Sequence, residues 1–124
     1  GLGEAVKYLQ QIGFKDIVQQ ELELNKFITE EISKIPSVRI IGPFDPGLRG
    51  GVISFYVEEM SSHQIALLLD EASNVMVRSG QHCVHSWFNA HQIKSSVRAS
   101  LYFYNTIAEA KIFVESLNKI IKLI

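Results

Sequence analysis

The strongest constraint on the fold is a change of apolar period near the carboxy terminus. Val97, Ala99, Leu101 and Phe103 alternate with Arg98, Ser100, Tyr102 and Tyr104, the period of two that sends successive side chains to opposite faces of a strand. Beyond Asn105, the residues Ile107, Ala110, Phe113, Val114, Leu117, Ile120, Ile121 and Ile124 recur at helical spacing. Thr106 and Glu109 stand just ahead as a capping box, which starts a helix by satisfying its free N–H groups. A strand with one apolar face followed at once by a helix with one apolar stripe predicts a sheet covered by that helix. Arg98 is then expected on the opposite face of the sheet.

The remaining patterns extend this layer arrangement. Leu2, Ala5, Val6, Leu9 and Ile12 predict a helix that stops at Gly13. A longer helix is expected from Lys15 through Ile17, Leu24, Ile28, Ile32 and Ile35, closed by Pro36. Val38 to Ile41 and Val52 to Val57 predict the two strands of a hairpin, joined by the glycine- and proline-rich turn GPFDPGLRGG. Ser61 and Gln64 match a second capping box, which starts a helix to about Ala72. Val75 to Arg78 reads as a further strand ending at Gly80, followed by an irregular segment. The expected class is α+β, with a small, mainly antiparallel sheet of about four strands covered by helices in one domain spanning residues 1–124.

Charge and composition narrow the partners. Twelve basic residues balance 13 acidic ones for a net charge of −1, so no strong field draws the chain to nucleic acid or to an anionic membrane. No apolar run reaches the roughly 18 to 20 residues that span a bilayer. A single cysteine forms no internal disulfide, which fits a reducing, cytoplasmic compartment and leaves Cys83 a free thiol. The first residue is Gly1 and a helical pattern begins almost immediately, as expected of a piece of a longer chain. The Gly42 to Gly51 stretch lacks the GK[ST] ending of a phosphate loop and is expected to be only a turn.

Arg78-Ser79-Gly80-Gln81-His82-Cys83 places the thiol just past a strand end, in a glycine-containing loop with basic neighbours. A thiol reacts as its thiolate, and nearby positive charge favours that form, so Arg78 and His82 are candidates to assist Cys83. The competing reading is a cysteine buried as a small hydrophobe. His63, His82, His85 and His91 show no metal-ligand spacing, and no metal is expected. Arg98 is either a solvated or ion-paired strand arginine or a binder of a substrate carboxylate, which a planar guanidinium grips through two parallel hydrogen bonds. Arg78 carries the same two readings.

The segment RSGQHC, followed by SVRASLYFYNT and a capped terminal helix, resembles the end of SUF-type cysteine desulfurases, class-V aminotransferase relatives that include selenocysteine lyases. The opening GLGEAVKYLQQIGF looks like the helix by which such enzymes pass from their large domain into the small carboxy-terminal domain of the fold-type-I pyridoxal phosphate enzymes. The resemblance implies that Cys83 takes sulfur from an L-cysteine adduct of pyridoxal phosphate, leaving L-alanine and a persulfide. It implies that Arg98 binds the substrate carboxylate, with Arg78 and His82 flanking the active-site loop in less defined roles. The implied destination of the sulfur is an acceptor protein, for iron–sulfur cluster assembly or other delivery.

The lysine that anchors the cofactor in that family has no counterpart here. The resemblance therefore implies a missing large domain, a homodimer formed mainly through it, and no turnover by these 124 residues alone. The sequence departs from the family's pattern at Gln81, where a second histidine is common. It also has Val84, His85, Ser86 and Trp87 where alanine and soon a proline usually follow the cysteine. Two alternatives remain: another class-V enzyme domain with an incidental cysteine, and a non-catalytic binding or assembly module.

Overall fold

Two helices open the chain, α1 (Leu2–Ile12) and α2 (Phe14–Ile32), broken at Gly13, whose φ of 98° is open to glycine and strained for other residues. They are followed by β1 (Val38–Ile41), β2 (Val52–Val57), α3 (Ser62–Ser73), β3 (Arg78–Gly80), α4 (His85–Ala90), β4 (Ser96–Ser100) and α5 (Ile107–Ile121). This computed structural model describes residues 1–123; Ile124, expected to extend the stripe of α5, lies outside the described residues.

The four strands pair antiparallel in the order β1-β2-β4-β3. The alternation reads out as expected: Ile53, Phe55 and Val57 of β2 and Val97 and Ala99 of β4 are buried on one face. They meet Leu24, Ile28 and Ile32 of α2, Ile65 and Leu69 of α3, and Phe113 and Leu117 of α5 in a single core cluster. One face of the sheet is thus covered by helices. The other face carries Ser54, Tyr56, Ser96 and Arg98.

Both expected helix starts form. Thr106 and Glu109 complete the reciprocal capping box, whereas Ser61 accepts the Gln64 N–H at 3.2 Å as the serine half of its box. Three boundaries differ from the sequence reading. The third strand is Arg78–Gly80 rather than residues 75–78, because the Val75 N–H is taken by the Leu69 carbonyl at the end of α3. β4 ends at Ser100 although the alternation runs to Tyr104. Asn105 folds the chain back: its side-chain oxygen accepts the Tyr102 N–H at 2.9 Å and its own N–H donates to the Tyr102 carbonyl at 3.0 Å. The freed aromatic residues pack edge to face, Tyr102 on Phe103 at 4.8 Å and Phe103 on Tyr104 at 5.5 Å. Finally, the segment expected to be irregular contains α4, which has one buried residue, Phe88, and no side-chain cap, too little signal to stand out in sequence.

The turn from 42 to 51 is tied to α2 from within. Fully buried Asn25 donates to the Gly50 carbonyl at 2.5 Å and accepts the Thr29 hydroxyl at 3.1 Å, while Arg49 donates to Thr29 Oγ1 at 2.5 Å. Gly51 is required at its position, since a Cβ there would strike the Leu101 carbonyl. Asn25→Ala leaves the Thr29 hydroxyl proton without its acceptor and the Gly50 carbonyl without its side-chain donor. The expected cost is about 1–3 kcal/mol, read as a lower urea midpoint with little change in slope.

Candidate active site

The register of the strands brings the site together. Ser54 of β2 faces both Ile41 of β1 and Arg98 of β4, and Arg98 faces Arg78 of β3. Directly opposed residues share a face, so Ile41, Ser54, Arg98 and Arg78 form one row across the open side of the sheet. Two arginines are directly opposed in it. Neither has an ion-pair partner among the described residues, whose salt bridges are Lys7–Glu4, Lys34–Glu31 and Arg39–Glu58. Arg98 Nε is buried without a hydrogen-bond partner. Facing like charges destabilise a sheet and unsatisfied donors cost more, so stability alone does not account for this row.

The loop after β3 folds over this row. His82 and Cys83 both adopt left-handed backbone, with φ of 50° and 64°. Consecutive non-glycine residues in this region cost of order 1–3 kcal/mol each and persist only where surrounding bonds impose them. Three such bonds are present: Gln81 Nε2 donates to the Lys94 carbonyl at 3.0 Å, the Val84 N–H donates to the Gln81 carbonyl at 2.9 Å, and His82 Nε2 shares a 3.0 Å hydrogen bond with Ser96 Oγ. The result is an exposed Cys83 between two residues, His82 and Val84, that line a groove of about 220 Å³. Arg98, Ser54 and Ser96 lie along the sheet side of this groove, and Trp87 and Phe88 of α4 complete it. His82 and Arg98 thus line one groove, Cys83 lies in the chain between two of its lining residues, and Arg78 is paired with Arg98 in the β3–β4 ladder. The sequence reading did not assign Ser54, Ser96, Val84 or Trp87 to the site, although the alternation already put Ser96 on the face of Arg98.

Burial lowers the pKa of His82, and the charges of Arg98 and Arg78 lower it further, against an opposing contribution from the Ser96 hydrogen bond. The folded protein thus holds this imidazole neutral where the unfolded chain takes up a proton. Stability from this group is fully present above the ordinary histidine value of 6.5 and is lost as pH falls from there toward the lower folded-state value. His82→Gln is expected to flatten the stability-against-pH curve in that interval, measured by denaturant midpoints at successive pH values.

Residues 1–113 match the aminotransferase class-V family. The chain belongs to that family. It is 40% identical over 124 residues to a probable cysteine desulfurase of Xylella fastidiosa strain Temecula1, covering all of this chain and 29% of the relative. It is 35% identical over 122 residues to a probable cysteine desulfurase of Synechocystis, covering 98% of this chain and 29% of that protein. The apo structure of a cysteine desulfurase from Thermococcus onnurineus NA1 superposes with a TM-score of 0.90 at 34% identity, over 96% of this chain and 29% of that one. The class-V chain thus spans about 29% of the length of the curated relatives it matches.

Pyridoxal phosphate is the cofactor this family implies. The groove offers a guanidinium, an imidazole and two serines but no lysine amine for a covalent link, so the residues present do not by themselves hold that group. Among the described residues no helix is long and apolar enough to cross a membrane.

Proposed function

We propose that this class-V chain is the thiol-bearing domain of a pyridoxal-phosphate-dependent cysteine desulfurase, with residues 1–124 as one domain and the cofactor held by a larger part of the protein outside this chain. The observation that carries the reading is an exposed thiol on a strained loop whose flanking residues His82 and Val84 line a groove with Arg98, an arginine with no ion-pair partner among the described residues. Arg98 binds the carboxylate of L-cysteine. Cys83, as thiolate, forms an S–S bond with the substrate sulfur; the substrate C–S bond breaks, its electron pair stays on carbon, and a proton completes L-alanine. The two sulfurs together give up two electrons as the S–S bond forms and the substrate carbon takes up two, so the exchange needs no external oxidant. His82 holds the loop to β4 through Ser96, and Arg78 adds positive charge beside the carboxylate site.

The persulfide then passes to an acceptor protein, serving iron–sulfur cluster assembly or other sulfur delivery in the cytoplasm, and the full-length protein works as a homodimer. Outward-facing apolar residues Leu2, Tyr8, Phe14 and Val18 of the first two helices supply a surface for the missing large domain. The test is the full-length holoenzyme incubated with L-cysteine. Alanine must appear, and without reductant the peptide containing Cys83 must gain the mass of one sulfur atom. Alanine production with no sulfur on Cys83 overturns the reading.

A further inference from the structure

α4 supplies a group that the proposed reaction has not yet used. Phe88 is anchored in the protein at 3% exposure, while its neighbour Trp87 retains 38%. The indole is nevertheless held firmly: it meets the Phe88 ring edge-on at 5.3 Å and 81°, and stacks on His91 at 4.1 Å and 23°. His91 Nδ1 in turn donates to the Trp87 carbonyl at 2.8 Å, which fixes the stacking partner. A large aromatic side chain clamped by its neighbours, yet left partly open where it borders a groove with a guanidinium, has the character of a ligand-contacting wall. Val84, 51% exposed, continues that wall directly from Cys83. The groove volume of about 220 Å³ falls below the roughly 300–1,000 Å³ that accepts drug-sized ligands.

We infer that Trp87 and Val84 set substrate specificity, forming an apolar wall that admits a short, unsubstituted thiol side chain and rejects S-substituted amino acids. This rests on the proposed desulfurase reading. A carboxylate on Arg98 directs the ligand side chain along the groove, whose lip holds Cys83 next to Val84. A substituent on the ligand sulfur then meets Val84 and Trp87, which line the groove beside the cysteine loop.

The experiment uses the full-length holoenzyme and two probes, L-cysteine as substrate and S-propyl-L-cysteine as competitive inhibitor. Wild type, Trp87→Ala, Trp87→Phe and Val84→Ala are compared. The ratio of the inhibition constant for S-propyl-L-cysteine to the KM for L-cysteine is expected to fall about tenfold or more in Trp87→Ala, the scale on which a pocket senses one or two methylenes. Trp87→Phe, which keeps a flat ring in place, is expected to retain most of the wild-type ratio. Val84→Ala, at a half-open position, is expected to lower the ratio in the same direction and serves if Trp87→Ala does not fold. A merely structural role lowers turnover and leaves this ratio unchanged. An unchanged ratio in both alanine variants, with wild type still releasing alanine from L-cysteine, overturns the wall while leaving the desulfurase reading intact. Absence of alanine from wild type sinks both together.

Discussion

Cys83→Ala in the full-length protein is expected to lower alanine release from L-cysteine by at least about 10³-fold, the scale on which removal of a covalent nucleophile acts. Persulfide at this position disappears outright. The reasoning starts from the backbone: His82 and Cys83 occupy left-handed conformations that only external bonds sustain, and those bonds run to Lys94, Gln81 and Ser96. A cysteine serving as a small core hydrophobe needs no such arrangement, and Cys83 is exposed rather than buried. The substitution removes little buried surface and alters no hydrogen bond of the loop, so the denaturation midpoint should hardly move. Loss of activity with preserved stability is the expected pair of results, measured by alanine assay and urea titration. Undiminished alanine release from the variant would favour another class-V enzyme domain in which the thiol is incidental.

Arg98→Met carries the second large effect, with opposite signs for binding and stability. Truncating one partner of a hydrogen-bonded charge pair costs about 2–5 kcal/mol, so kcat/KM for L-cysteine is expected to fall by about 30- to 5,000-fold. Methionine keeps an aliphatic stem while removing a charge that faces Arg78 directly across the β3–β4 ladder. Relief of that repulsion, roughly 0.2–1 kcal/mol, together with loss of the unsatisfied buried Nε, leaves stability equal or slightly raised. A structural ion-pair arginine behaves the other way, losing stability while activity persists. Arg98→Lys separates charge from geometry: it keeps a cation but cannot offer two parallel donors, and is expected to fall between wild type and the methionine variant.

Much of the site could be read from spacing, because the relevant periods are local. Alternation through Val97, Arg98 and Ala99 places Arg98 away from the helices whatever the partner strands are, and the structure buries Val97 and Ala99 accordingly. Asn105 is the instructive exception. The alternation continues to Tyr104, but one side chain bonding back to Tyr102 ends the strand at Ser100, a competition that period alone does not register. α4 is the other: its single buried anchor and missing cap leave no pattern, so the Trp87 wall stays hidden until the helix is seen packed.

The sequence by itself determined the element types apart from α4, the inward faces of β2, β4 and α5, and the placement of Cys83 in a loop after a strand. Each depends on residues a few positions apart, whose geometry follows from a helical or extended backbone. Only the tertiary structure decided that β4 lies between β2 and β3, that Arg78 therefore opposes Arg98, and that the cysteine loop closes over them beside α4. Those outcomes arise from hydrogen-bond ladders and packing between distant segments, where strand order and a left-handed loop are selected by partners the local sequence does not contain.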